Sequence, residues 1–380
     1  MTTSPSLTSE LSRHIAQSIG EAKGWIGFDA YINLALYTPG LGYYAHGSAK
    51  FGVLPYTVKD AAKVAGSDFV TAPEITPLFG WTLARQVMQA LELTGTDEVW
   101  EFGAGSGALA LQVLQAFKAQ GVALPHYTIV DISSSLRARQ QATLAEFSAQ
   151  VRWVDALPDA MRGVVLGNEV LDAMPVKLLA RVGGIWHERG VVVNAVAVDG
   201  EASFAWQDRA TDLRPALAVG GVHDYLTELH LQGESFVRTL GEKLTAGAVF
   251  LLDYGFPEAE YYHPQRHMGT VMCHQAHQVD DDPLSRVGQK DITAHVNFTG
   301  VALAGNAAGL DVLGYCNQAR FLMNCGFLEH LQAATQPVRV MAQKLIMEHE
   351  MGELFKVIGF YKGEPWQAIG FAQGDKTHTL

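Results

Sequence analysis

Apolar positions recur along this chain with two different periods, and the places where the period changes divide it into elements. Leu7, Leu11, Ile15 and Ile19 stand at helical spacing and predict an opening helix over 7–23, which Gly24 stops. From Phe28 to about Phe69 the text is aromatic and broken by glycine and proline, as in FDAYINLALYTPGLGYYAHGSAKFG. It predicts a short helix and then a long ordered loop, a kind that is usually functional. The run TAPEITPLFGWTLARQVMQALEL (71–93) predicts one long amphipathic helix, with Thr71 as cap and Pro73 and Glu74 in its first turn. Beyond it come strand VWEF (99–102), a glycine turn, a helix over about 108–120, strand YTIVD (127–131), a helix over about 134–147, and strands VRWVD (151–155) and VVLGNE (164–169). Alternation of this kind predicts an α/β fold on a doubly wound, mostly parallel sheet.

Between 178 and 206 the period falls to two, with turns at Gly183-Gly184 and Asp199-Gly200, which predicts an antiparallel β meander inserted after the fourth strand. A helix over about 224–244 leads into the most apolar strand, AVFLLDYG (248–255). A His- and Asp-rich loop follows from Phe256 to about Gly288, and further helices precede two closing strands, LFKVIGFYK (354–362) and WQAIGFA (366–372). The expected organisation is therefore N-terminal helices and a covering loop (1–95), a core (96–177 and 245–255), an inserted meander and helix (178–244), a loop and helical insertion (256–350), and closing strands of the core sheet (351–380).

Composition narrows the function. A chain of 380 residues buries a large core without external staples. Its 27 basic against 39 acidic residues leave a formal charge of −12, with no Lys/Arg cluster, a poor match to nucleic acid. Cys273, Cys316 and Cys325 lack CxxC spacing, which points to buried thiols in a reducing compartment. No apolar run is long enough to span a bilayer, and the first twenty residues carry no apolar signal core, so the expected location is cytoplasmic. His263, His267, His274 and His277 with Asp280 to Asp282 lack paired ligand spacing and read as solvated loop residues, so no metal is expected.

The chemistry concentrates at Glu101-Phe102-Gly103-Ala104-Gly105-Ser106-Gly107, between a strand and a helix. Glycines there let backbone pass close to a ligand beside helix amides. Read as GxGxxA, residues Gly103, Gly105 and Ala108 also fit a dinucleotide fingerprint, so the glycines alone leave an NAD-dependent oxidoreductase open. Glu101 tilts the choice, because a carboxylate repels pyrophosphate but attracts the sulfonium and ammonium of S-adenosylmethionine. Asp131, ending the next strand, is placed to accept two ribose hydroxyls from either cofactor. The closing strands suit the antiparallel pair that ends a class I methyltransferase sheet.

Dispersed motifs agree with this. LALYTPGLGYY (34–44), TAPEITPLFG (71–80), EFGAGSG (101–107), VDISSSLRARQ (130–140), GNEVLDAMPV (167–176), LLDYGF (251–256) and DITAHVNFT (291–299) resemble the MidA family of class I (Rossmann-like) methyltransferases, over roughly 10–360. That family includes the mitochondrial complex I assembly arginine methyltransferase. The resemblance implies S-adenosylmethionine as cofactor, S-adenosylhomocysteine as product, and a protein arginine as acceptor. It implies a cofactor site on Glu101, Gly103, Ala104, Gly105, Gly107, Asp131 and Ile132, with Asp155 near the adenine, Asn168 and Glu169 near the methyl group, and Glu74 added to the set. Asp131 departs from the longer Glu often found there, which changes its reach but not its chemistry.

Methyl transfer is an in-line displacement in which positioning supplies much of the acceleration. An arginine acceptor stays charged and presents a planar fork, so its natural partner is a carboxylate. Glu169 and Asp172, at the carboxyl edge of the fourth strand, are the expected catalytic residues. Asp172 also reads as a helix cap ahead of Met174 and Pro175, and Glu74 as a first-turn dipole residue. Asp291 and His295 are spaced as a helical pair, and Tyr37, Tyr43, Tyr44 and Phe51 line an acceptor groove or anchor their loop. A cofactor-binding assembly or scaffold factor is the competing function, with an oxidoreductase third.

Overall fold

Five strands, Glu98–Phe102, His126–Val130, Val151–Val154, Met161–Asn168 and Leu244–Phe256, lie parallel to one another. Their interior members are apolar on both faces, as in Val164-Val165-Leu166 and Val249-Phe250-Leu251-Leu252, because helices cover a parallel sheet on each side. The computed structural model describes residues 7–45, 70–131, 133–197, 201–275 and 278–380. The chain divides into two compact units that interleave in sequence. The first is Met1–Ala49, Asp172–Gly233 and Phe256–Asn297; the second is Lys50–Leu171, Glu234–Gly255 and Phe298–Leu380.

In the second unit the sheet runs, edge to edge, 311–317, 355–362, 244–256, 161–168, 98–102, 126–130, 151–154. Strand order reverses beside Glu98–Phe102, whose neighbours are the strand that follows it and the strand three later, so its carboxyl end is the switch point where open α/β sheets bind ligands. Phe355–Lys362 pairs antiparallel with the strands on both its sides, supplying the expected antiparallel edge.

Several elements differ from the sequence reading. The second edge strand is Asp311–Asn317, upstream of Phe355–Lys362, and 366–372 holds only the 3-10 turn Ile369–Phe371. With both sides of Phe355–Lys362 taken, Phe371 instead buries its ring against Phe321. The helix over 71–93 is broken into Ala72–Ile75 and Leu78–Thr94. Pro77 forces the preceding Thr76 into extended backbone, and Thr71 makes no side-chain cap bond. The stretch 224–244 opens with strand Tyr225–Leu229 before helix Leu231–Lys243.

The first unit carries the antiparallel meander. Its sheet runs 26–27, 185–196, 177–182, 225–229, with 202–210 also on 185–196. The hairpin turn uses Gly183 and Gly184, both at positive φ (57° and 83°), as a two-residue turn matching strand twist requires. Asp199 and Gly200 lie outside the described residues. Helices Leu7–Glu21 and Phe28–Tyr37 belong to this unit, and Phe28 and Tyr31 pack on Trp206 and Phe204 of the meander. The stretch read as a His- and Asp-rich loop contributes a small sheet, 278–280, 272–275 and 291–293.

Gly163 and Gly247 pair across adjacent parallel strands at φ 128° and 135°, and a Cβ on Gly163 would sit 2.1 Å from the Glu98 carbonyl oxygen. Gly121, at φ 66°, has nothing within 4 Å of the same position. Gly163→Ala is expected to cost roughly 2–4 kcal/mol in denaturant unfolding, against about 1–2 kcal/mol for the φ penalty alone in Gly121→Ala. Equal losses would contradict a backbone contact as the cause.

Candidate active site

The switch point of the second unit is built around one turn. Between Glu98–Phe102 and helix Ala108–Gln120 the chain passes through Gly103, Gly105 and Gly107 at φ 63°, 51° and 85°, a region side chains rarely enter. The absent side chains leave room that neighbours approach: a Cβ on Gly103 would lie 2.8 Å from Val170 Cγ2, and one on Gly107 3.4 Å from Gln140 Cα. Helix Ala108–Gln120 is tied to the preceding segment by Gln112, which accepts from the Gly80 amide (3.0 Å) and donates to the Pro73 carbonyl (2.7 Å).

Carboxylates surround the turn. Glu101 is 2 % exposed and accepts the Tyr127 hydroxyl at 2.7 Å. Burial raises its pKa from an ordinary 4.5 to about 7, opposed by that hydrogen bond. Glu74 accepts a short hydrogen bond from Ser106 Oγ, and burial raises its pKa too. Asp131 accepts the Ser133 amide on Oδ1 (2.8 Å) and the Gln140 side-chain amide on Oδ2 (2.8 Å). Gln140 also donates to the Gly105 carbonyl (3.1 Å), and the Trp153 indole donates to its oxygen (2.9 Å).

At the carboxyl end of Met161–Asn168 the backbone turns through Glu169, a non-glycine residue at φ 54°. The Glu169 amide donates to the Leu252 carbonyl (2.8 Å), and Glu169 Oε1 accepts from Asn168 Nδ2 (3.0 Å) and the Ala72 amide (3.3 Å). The left-handed residue costs on the order of 1–3 kcal/mol. Asp253, 1 % exposed, offsets this: its Oδ2 accepts the amides of both Val170 (3.1 Å) and Leu171 (2.9 Å). Asn168 Oδ1 is buried without a hydrogen-bond partner among the described residues.

The other expected residues are placed differently. Asp155 follows Val151–Val154 and is exposed. Ile132, Phe51 and His277 lie outside the described residues. Asp172 opens the second segment of the first unit in a turn with no helix after it, so the cap reading does not hold. It is 6 % exposed, and its carbonyl accepts the Ala294 amide (2.9 Å). In the same unit Tyr44 donates to Asp291 Oδ1 (2.7 Å), Tyr37 stacks on Tyr44 and donates to the Ala173 carbonyl (2.8 Å), and Tyr43 is fully buried. Burial first, and the charges of Asp291 and Asp172 next, raise the Tyr37 pKa. Asp291 sits on strand Asp291–Thr293, so it and His295 form no helical pair. Among the described residues no three His, Cys, Asp or Glu side chains gather as metal ligands, and no helix is long and apolar enough to cross a membrane.

A family described as "Putative S-adenosyl-L-methionine-dependent methyltransferase" matches residues 82–316. The chain belongs to this family, the MidA methyltransferases. It is 26 % identical over 392 residues to the protein arginine methyltransferase NDUFAF7 of Danio rerio, a mitochondrial protein, covering 93 % of this chain and 87 % of that one. To the Drosophila melanogaster homolog it is 27 % identical over 357 residues, 80 % of this chain and 78 % of the other. A solved structure from Burkholderia thailandensis, bound to S-adenosyl-homocysteine, matches at 45 % identity and a TM-score of 0.90 over the whole of both chains.

This MidA-family chain is thus an S-adenosylmethionine-dependent methyltransferase with a class I fold, and the oxidoreductase alternative is set aside. The residues fit such a cofactor: the acids around the turn favour a cation, and Asn168 Oδ1 is a buried acceptor with no hydrogen-bond donor among the described residues. The sequence reading missed Gln140 and Asp253. Asp253 is legible only as a polar residue inside the most apolar strand, while Gln140 lies in a polar helix, where nothing in the sequence marks its burial.

Glu101 carries a linkage consequence. Its folded pKa lies above its unfolded value, so its contribution to stability is full below about pH 4.5 and is lost as pH rises to about 7. Glu101→Gln keeps an acceptor for Tyr127 and removes that loss. Relative to wild type, the ligand-free variant is expected to gain roughly 3 kcal/mol between pH 4.5 and 7.5 in urea unfolding. A difference that does not change with pH contradicts the raised pKa.

Proposed function

We propose that this methyltransferase acts on an arginine side chain of a protein, with Glu169 holding the guanidinium against the donor. The observation that carries this is the Glu169 turn: an acid kept at positive φ at the carboxyl edge of the sheet, with Asp253 securing the two amides that follow. Strain of this kind persists where position matters more than local stability. The names of the relatives, protein arginine methyltransferases at about a quarter identity, support the same acceptor.

The cofactor supplies an electrophilic methyl group on a sulfonium. Glu101 lends negative charge below the turn, Asp131 accepts the ribose hydroxyls, and Asn168 takes a donor from the methionyl end. Ala104 and the three glycines give close backbone approach, Glu74 braces Ser106, Asp155 lies on the adenine side, and Ile132 completes the set. Glu169 would bind two guanidinium N–H groups and aim one nitrogen; as the N–C bond forms the sulfonium S–C bond breaks, S-adenosylhomocysteine leaves as the neutral thioether, and the nitrogen's proton passes to solvent, leaving a methylated guanidinium of unchanged charge. Nothing in this scheme requires a metal.

Glu169→Gln keeps shape and removes charge. At saturating cofactor it is expected to slow single-turnover transfer of labelled methyl to protein arginine by about 100-fold. Calorimetric affinity for S-adenosylhomocysteine should stay at the wild-type value. Wild-type transfer in the variant, or a label recovered on a carboxylate or a small neutral metabolite, contradicts the role. A chain whose biological effect survives the variant intact is acting as a scaffold.

A further inference from the structure

We infer that Gln140 is a positioning residue that aims the Asp131 carboxylate at the cofactor ribose, and that Trp153 sets which way round its amide stands. Gln140 lies on helix Ser134–Thr143 and is fully buried. Its Nε2 donates both to the Gly105 carbonyl, inside the glycine turn, and to Asp131 Oδ2, at the end of the neighbouring strand. One side chain therefore joins two walls of the site.

The amide stands one way round for a chemical reason. An indole N–H can only donate, so the 2.9 Å contact from Trp153 requires the Gln140 oxygen on that side. Both amide hydrogens then face Gly105 and Asp131, which can only accept there. The remaining oxygen of Asp131 is held by the Ser133 amide, so each carboxylate oxygen has one bond in place and its plane is fixed. An ionised carboxylate offers about four lone-pair directions, and those left over are the ones a pair of vicinal hydroxyls would use. Preorganising that acceptor lowers the ordering cost of binding without touching a reacting atom.

The inference rests on the reading that Asp131 binds the ribose, and the experiment separates the two. S-adenosylhomocysteine and its 2′,3′-dideoxy analogue are titrated calorimetrically into wild type, Asp131→Ala, Gln140→Met and Trp153→Phe. Asp131→Ala should weaken the parent ligand by about 10-fold or more and leave the analogue within about twofold of wild type. Gln140→Met, of similar volume, should show the same selectivity at about 5- to 10-fold, and Trp153→Phe at a few-fold. The methyl-transfer kcat at saturating cofactor should stay within about twofold of wild type in Gln140→Met, the loss falling on KM.

Equal losses for both ligands in Gln140→Met make the glutamine a structural brace and overturn the inference, as does no loss. If Gln140→Met does not fold, Trp153→Phe decides: unchanged affinity for the parent ligand overturns it. If Asp131→Ala treats the two ligands alike, the ribose reading fails first and the inference with it.

Discussion

The site depends on a backbone that must reverse direction within five residues at the end of a buried central strand. Gly103, Gly105 and Gly107 all sit at positive φ, and Val170 and Gln140 approach where side chains on Gly103 and Gly107 would be. A side chain at these positions would both strain the backbone and fill that space. The Gly105 carbonyl is consequently presented to Gln140, and through Gln140 to Asp131, so the conformation of the turn and the orientation of the Asp131 carboxylate are one arrangement.

Charge is arranged around this turn at a cost. Glu101 is buried deeply enough that its pKa rises to about 7, and Glu74 is raised by burial as well. An apolar replacement would cost less for folding alone, so acids held in such a place mark a functional rather than a structural position. Glu169 belongs to the same pattern in its backbone: Asp253 accepts two amides to hold a turn that its own residue type disfavours. Stability and positioning are therefore opposed at both ends of the site.

Much of this was legible in the sequence. Period and glycine spacing located all five parallel strands, the turn, and the acids Glu101, Asp131 and Glu169, because buried parallel strands are continuous apolar runs and each acid ends one of them. What escaped depended on tertiary partners. WQAIGFA has strand-like residues, but both sides of Phe355–Lys362 are already paired, and TAPEITPLFG reads as one helix until Pro77 is given its effect on Thr76. YLTEL pairs with 177–182, a contact no local pattern announces. Gln140 and Asp253 are single polar residues whose importance lies in which backbone groups they meet, and spacing along the chain does not report that.

The central claim is that the turn and the acids around it form the cofactor site. Hydrogen–deuterium exchange of the wild-type protein with and without S-adenosylhomocysteine tests it residue by residue. The account predicts slowed exchange concentrated in peptides covering 101–111, 131–140 and 168–171, with the antiparallel meander unchanged. Binding without protection at 101–111, or protection confined to other segments, would contradict it.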